Sequence, residues 1–294
     1  MSAISGIDQA LMDIKGRALD VPIYELLGGK VRDRLRAYAN AWYGGTDSPE
    51  EFADSARGMV DAGFTALKFD PFRHAGQMIE RTEEEHAFAC IDAIAAACGP
   101  GVDLLIEAHG RFNVWSAVRV GRRLEPYSPF FYEEPILWDN VDALVEVARA
   151  VDVPIATGER LLTRWEFRDL LESNCVRIVQ PDVCHTGGIS ELRKIASMAE
   201  TYYVAVQPHN AGGPLSTLAS IHIDASIPNF AIQEFFYPYL KRYNQLLTDP
   251  IVYENGELVV PDGPGMGAEI DEDAAALLAP EGDANSMRRL FPYS

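Results

Sequence analysis

An even alternation runs along most of this chain: short runs of β-branched and aromatic residues give way to longer amphipathic stretches, and the pair then repeats. Consecutive parallel strands need a crossover, which a helix supplies, so this rhythm marks βα units feeding a parallel sheet. Eight runs qualify as strands, at 35–41, 66–69, 103–107, 130–132, 155–157, 177–179, 204–207 and 231–233. Eight is the number that closes a (β/α)8 barrel of about 250 residues. The expected fold class is therefore α/β, a TIM-type (β/α)8 barrel, and the 294 residues suffice for one such domain. A doubly wound open sheet is the alternative, but no glycine-rich phosphate fingerprint follows a first strand.

The intervening helices carry their own start signals. Ser48-Pro49-Glu50-Glu51 reads as a capping box with proline in the first turn, and Thr82 with Glu85 repeats the pattern. Apolar spacing marks further helices at 113–125, 140–151, 163–172, 190–202 and 215–226. Two ends stand outside the repeat. Residues 1–30 read as helices closed by Gly28-Gly29, and 250–294 hold an Asn255-Gly256 hairpin signal followed by a Pro/Gly-rich loop. The expected organisation is thus 1–30, a catalytic barrel at 31–249, and a C-terminal segment at 250–294 that packs back on the N-terminal region.

Net charge and hydropathy narrow the partners. A charge of −19 argues against nucleic acid, which needs a basic surface. No stretch approaches the roughly 20 apolar residues that span a bilayer, and the first residues lack the basic and apolar regions of a signal peptide. A cytoplasmic protein acting on a small molecule, and assembling as a homo-oligomer, is expected. Cys90, Cys98, Cys175 and Cys184 have neither CxxC spacing nor a disulfide pattern and read as buried thiols.

In a (β/α)8 barrel the reacting groups sit at the C-terminal ends of strands. Here those ends carry Lys68 and Asp70, Glu107 and His109, Glu133 and Glu134, Glu159 beside Arg160, Asp182, His209 and Glu234. From Glu107 through Glu133, Glu159, Asp182 and His209 to Glu234 the intervals are 26, 26, 23, 27 and 25 residues, one place in successive βα units. Three converging carboxylates repel one another unless a cation lies between them, and an all-oxygen set suits Mg²⁺. Glu107, Glu133 and Glu159 are the candidate ligands. A divalent cation on a substrate carboxylate would stabilise the charge created when the adjacent α-proton leaves. His109 and His209 would move protons, and Asp182 is placed to orient His209. His74, His86 and His222 read as surface or packed residues, His185 is left open, and Glu134 reads as a supporting group or salt bridge. Paired carboxylates also serve barrel glycosidases, but the seventh strand offers a histidine instead.

These residues also carry a family likeness. Ser5-Gly6-Ile7-Asp8-Gln9-Ala10-Leu11-Met12-Asp13-Ile14-Lys15-Gly16, Glu107-Ala108-His109-Gly110-Arg111, Tyr132-Glu133-Glu134-Pro135, Gly158-Glu159-Arg160, Gln180-Pro181-Asp182 and Pro208-His209 resemble the enolase superfamily. The likeness lies in its mandelate racemase/muconate lactonizing enzyme branch, galactonate dehydratase-like group, and spans nearly the whole chain. It implies that Glu107, Glu133 and Glu159 bind Mg²⁺, that Asp182-His209 abstracts the α-proton, and that His109 protonates the departing hydroxyl. It further implies that Glu234 is a substrate-binding acid in the catalytic set, with Lys68, Asp70, Arg111 and Arg160 also contacting substrate. Racemases of the branch carry Lys-x-Lys on the second strand, whereas this chain has Lys68-Phe69-Asp70.

The implied activity is that of a hydro-lyase, an acid-sugar dehydratase turning an aldonate or aldarate into a 2-keto-3-deoxy acid through a metal-stabilised enolate. A cycloisomerase or epimerase of the same superfamily, or a shortened non-catalytic homologue, are the alternatives. Two departures from the family pattern stand out. The first metal ligand is usually aspartate and here is Glu107. Family members also begin with an α+β capping domain that closes over the barrel mouth; residues 1–30 resemble only its last helices, which implies a more open site and looser specificity.

Overall fold

A computed structural model describes residues 1–278; the end of the segment expected at 250–294 lies outside them. The chain opens with α1 (Ser2–Leu19) and α2 (Ile23–Leu26) and then alternates. The order is β1 (Arg34–Ala39), α3 (Pro49–Asp61), β2 (Ala66–Phe69), α4 (Arg81–Cys98), β3 (Asp103–Glu107), α5 (Val114–Leu124), β4 (Phe131–Glu133) and α6 (Val141–Ala150). It continues through β5 (Ile155–Thr157), α7 (Thr163–Glu172), β6 (Ile178–Val179), α8 (Ile189–Thr201), β7 (Ala205–Val206), α9 (Pro214–Ser226) and β8 (Gln233–Phe235). After α10 (Leu240–Gln245) come the short strands β9 (Tyr253–Glu254) and β10 (Glu257–Val259), and α11 (Glu272–Leu278).

Strands β1 to β7 pair in sequence order and in parallel, and β8 returns to β1. Between β7 and the chain before β8 the ring is completed by Val206 N–H donating to Asn229 and Ala231 N–H donating to Val206, both at 2.8 Å. This corrects the eighth strand, expected at 231–233. Residues 229–231 bond to β7, and only from Gln233 does the chain pair with β1, so the ladder to β1 starts two residues late.

The barrel interior follows from the two-residue period of a strand. Tyr38, Ala66, Leu105, Phe131, Ala156, Ile178 and Ile232 form one buried apolar layer. Two residues further along their strands, on the same face, stand Lys68, Glu107, Glu133, Gln180 and Glu234. Side chains of opposite parity, such as Leu67, Ile106, Tyr132, Val179 and Phe235, face outward into the larger core beneath the helices.

Helix caps show where local signals held. The Ser48 hydroxyl accepts from Glu51 N–H at 3.3 Å, and the Glu51 carboxylate accepts from Ser48 N–H at 3.0 Å. Asn113 and Asn140 cap α5 and α6. The Thr82/Glu85 box is corrected: α4 begins at Arg81, and Glu83 accepts from Glu80 N–H at 3.2 Å. Glu85 instead pairs with Arg123 at 2.8 Å, a partner invisible to local sequence.

The Asn255-Gly256 turn forms as expected, with φ of 50° and 87°. Its strand β10 pairs antiparallel with Arg34–Arg36, the entry half of β1, away from the strand ends that carry the site. Residues 262–269 lie along α1 and the start of α2: Asp13 accepts from Met266 N–H at 2.7 Å, Arg17 donates to Ala268 at 3.0 Å, and Ile23 N–H donates to Gly265 at 3.0 Å. A Cβ on Gly16 would fall 2.8 Å from the Gly265 Cα, so the close approach requires glycine there. The cysteines are free thiols; Cys90 and Cys175 are buried, but Cys98 and Cys184 are only half-buried. No described helix is long and apolar enough to cross a membrane.

Candidate active site

The carboxyl ends of the strands deliver their polar residues to one mouth. Glu107 ends β3 and Glu133 ends β4; their backbones are in register, so the two carboxylates are neighbours. Glu159 follows β5 after Gly158, whose φ of 137° and whose missing Cβ, 2.8 Å from Phe167 and 3.0 Å from Gln180 N, make this turn possible only for glycine. Glu107, Glu133 and Glu159 each offer an oxygen within 4.8 Å of the others. His109 and Glu134, just past two of these strands, take positive φ values of 50° and 38°, a region costly for side chains other than glycine and characteristic of functional sites.

Burial decides the electrostatics. Desolvation and repulsion from Glu107 push the Glu133 carboxyl well above the usual carboxylate range, against the pull of Lys68. Burial also acts to raise Glu107, but His109, Lys68 and the His109 N–H at 2.6 Å bring it down. Burial and the neighbouring Glu159 and Glu107 push Glu134 up to about 7, although Arg160 sits 3.1 Å away. Crowded carboxylates with opposed shifts are the signature of a place built for added positive charge. An all-oxygen donor set of this kind fits a divalent cation.

Lys68 supplies an internal cation. Its Nζ lies 2.9 and 3.0 Å from the two Glu133 oxygens, 3.0 Å from Glu234 and 3.4 Å from Glu107, and it is almost fully buried. Burial disfavours the ammonium, but Glu133 and Glu234 outweigh it and hold Lys68 charged. Glu234 in turn is raised by burial and lowered by Lys68, His209 and the Asn210 N–H, ending at about 2. Asn40 donates to the Oε1 that also faces Lys68, at 2.7 Å, and the Asn210 N–H donates to Oε2 at 2.6 Å.

Two histidines line the same cavity, which measures about 630 Å³ and is also bordered by Lys68, Asp70, Glu107 and Glu159. His209 Nδ1 lies 2.6 Å from Asp182, and its Nε2 is 3.3 Å from Glu159. Burial lowers its pKa, but Glu234, Asp182 and Glu159 together raise it to about 10. His109 Nδ1 lies 2.8 Å from Asp70.

Of the residues expected on substrate, Lys68 and Asp70 border the cavity. Arg111 grips Asp70 with two N–H groups at 3.0 and 3.1 Å, and Arg160 bonds Glu134 and reaches Glu159 at 3.2 Å. Asn40, Asn210 and the aromatic wall of Tyr43, Phe236, Tyr239 and Tyr243 escaped the sequence reading. Asn40 was legible as the polar residue closing the first strand; the aromatics, in loops without a pattern, were not.

A barrel whose mouth joins an acidic triad to two His–Asp pairs defines a class, and comparison with known proteins places it. The family described as "Enolase C-terminal domain-like" matches residues 51–274, and the mandelate racemase/muconate lactonizing enzyme N-terminal domain matches residues 1–28. A D-gluconate dehydratase of Thermoproteus tenax is 40% identical over 272 residues, covering 92% of this chain and 55% of that protein. A D-galactonate dehydratase of Ralstonia nicotianae is 40% identical over 278 residues, covering 92% and 72%. The chain thus spans about half to three quarters of the length of these relatives. Among solved structures, an enolase superfamily member from Salmonella Typhimurium superposes with a TM-score of 0.88 at 37% identity, covering 94% of this chain and 76% of the other. A mandelate racemase/muconate lactonizing enzyme-like protein from Roseovarius sp. TM1035 gives 0.84 at 40% identity, covering 93% and 72%. The chain belongs to the enolase superfamily, in the galactonate dehydratase-like group of its mandelate racemase/muconate lactonizing enzyme branch.

Proposed function

We propose that the protein is an acid-sugar dehydratase, a hydro-lyase converting an aldonate or aldarate into its 2-keto-3-deoxy acid. The observation that carries this reading is the meeting of a carboxylate triad and two His–Asp pairs at one cavity. Relatives named for gluconate and galactonate dehydration, at 37–40% identity, support it.

In this reading Glu107, Glu133 and Glu159 hold Mg²⁺. The ion's contribution is electrostatic, stabilising the extra negative charge that arises beside the substrate carboxylate when a proton leaves. His209 acts as the base, the ion's positive charge offsetting the carboxylates that otherwise hold its imidazole protonated. An ionised Asp182 can only accept, so it takes the Nδ1–H and leaves the Nε2 lone pair for the α-proton. Asp70 likewise accepts the Nδ1–H of His109, and with Glu107 it favours the imidazolium against burial, so that His109 carries a proton on Nε2 as well and delivers it to the β-hydroxyl. The C–H electron pair becomes the new double bond as the C–O bond breaks and water departs; the resulting enol tautomerises to the keto acid. Lys68 and Glu234 position the carboxylate end, with Asn40 and Asn210 fixing Glu234. Arg111 and Arg160 act through Asp70 and Glu134. A small acid sugar is the partner, and a cytoplasmic homo-oligomer the setting, which fractionation and sedimentation test.

The test of the reading is a screen of acid sugars with Mg²⁺, reading 2-keto acid formation. Exchange of the α-proton in deuterated water without loss of water identifies an epimerase or cycloisomerase instead. Glu133→Gln should weaken Mg²⁺ binding in calorimetry by about 10-fold or more; unchanged affinity removes Glu133 from the ligand set.

A further inference from the structure

The segment 5–16 of α1 has no part in metal holding or proton transfer, yet its inward face is fastened directly behind one of the histidine pairs. Gln9, buried, donates its Nε2–H to the Val183 carbonyl at 3.1 Å, with Cys184 Sγ 3.9 Å away. The Ser5 hydroxyl, fully buried, accepts from Gly187 N–H at 3.0 Å. The Asp8 carboxylate accepts from Ser190 N–H at 3.0 Å, in the first turn of α8, where a negative charge is favoured. Three contacts thus cross at least 174 residues of chain to reach the loop 183–188 and the start of α8. The fit is close: a Cβ on Gly188 would fall 2.4 Å from the Asp8 carboxylate.

That loop begins at Asp182 and is wound around it. Cys184 N–H donates to Asp182 Oδ1 at 2.6 Å, while His185 and Thr186 N–H donate to the Asp182 carbonyl at 3.0 and 2.8 Å. Asp182 Oδ2 is the oxygen facing His209. One carboxylate therefore joins the loop to the imidazole, Oδ1 taking the Cys184 N–H and Oδ2 facing the ring. Residues 180–188 form no helix or strand of their own, so the buried Val183 carbonyl takes its donor from α1.

We propose that α1 is a latch: Gln9, Ser5 and Asp8 are positioning residues that hold loop 183–188 and the start of α8 and thereby keep Asp182 aligned on His209. The proposal rests on the reading of Asp182–His209 as the proton-abstracting pair. Misplacement of a catalytic group by about 1 Å can cost 100-fold, so a latch remote from the cavity has leverage.

The experiment uses the Mg²⁺-loaded full chain and Gln9→Met, which keeps the side-chain length and removes the donor. The direct readout is the downfield proton NMR signal of the His209–Asp182 hydrogen bond, assigned by its loss in His209→Asn. It should shift or broaden in Gln9→Met while the His109–Asp70 signal stays in place; an unmoved His209 signal overturns the latch. In kinetics, kcat for α-proton exchange should fall about 10-fold with KM and Mg²⁺ affinity held within about two-fold. In an Asp182→Asn background the same substitution should cost less than about two-fold, because the residue it acts through is gone. Equal losses in both backgrounds overturn the proposal. Ser5→Ala, deleting a single acceptor, is the second variant should Gln9→Met fail to fold, with the same shift expected. If the unmodified protein exchanges the α-proton of no acid sugar, the dehydratase reading fails, and the NMR comparison still decides the latch.

Discussion

His209 and His109 are built alike and surrounded differently. Each sets Nδ1 against an aspartate, at 2.6 Å from Asp182 and 2.8 Å from Asp70, and both line one cavity. The aspartates differ in their other partners. Asp182 otherwise accepts a backbone N–H, whereas Asp70 also carries the bidentate Arg111. An arginine shares the negative charge of Asp70, so Asp70 stabilises an imidazolium less than Asp182 does. Exposure differs too: the His209 side chain is 17% exposed beside Glu159, and that of His109 is 45% exposed. Two copies of one local device thus stand in different electrostatic surroundings, which suits the proposed division into base and acid.

The largest expected effect breaks the comparison outright. His209→Asn should lower α-proton exchange by about 1,000-fold or more, measured by deuterium incorporation, since no other described residue bordering the cavity is an imidazole with Asp182 behind it. His109→Asn should lower elimination by about 100-fold and leave exchange measurable. Equal losses of both reactions in both variants would erase the distinction drawn between the pairs.

Arg111→Met sharpens the comparison by making Asp70 resemble Asp182. Freed from the guanidinium, Asp70 should hold the His109 proton more firmly. A group that must be protonated to act then keeps working to higher pH, so the alkaline limb of the elimination profile should move upward, with a loss of about 10-fold at neutral pH. A profile identical to the unmodified protein's would show that Arg111 does not distinguish the two pairs.

The smallest effect on the reaction, and the control for the comparison, comes from His222, fully buried on α9 with no ion pair among the described residues. Burial lowers it from 6.5 to about 4, outweighing Met266, Asp13 and Asp262. Between those pH values the unfolded chain takes up a proton that the folded chain refuses. Stability is therefore complete above pH 6.5 and falls as the pH drops to about 4, by about 3 kcal/mol from this residue. His222→Leu should flatten that part of the dependence, read from urea unfolding at pH 7 and pH 4.5, without altering the pH profile of catalysis. An unchanged slope would locate the acid sensitivity elsewhere.

Much of this molecule was legible before folding. Lys68, Glu107, Glu133 and Glu234 stand two residues beyond apolar residues that fill the barrel, and that period alone sends them to the mouth. The Asn255-Gly256 turn and the Ser48 cap were equally local and formed as read. The start of α4 and the register of β8 were misread because distant partners decide them: Arg123 takes Glu85, and β7 takes residues 229–231.

What the sequence determined by itself is the set of groups and their recurrence, since strand period and βα spacing are properties of consecutive residues. Which group serves which was left to the tertiary structure. Arg111 lies 41 residues from Asp70, and Gln9 lies 174 from Val183. Their pairing depends on which backbones the closed barrel brings within hydrogen-bonding distance, and the burial that follows sets how strongly each carboxylate and imidazole holds its proton.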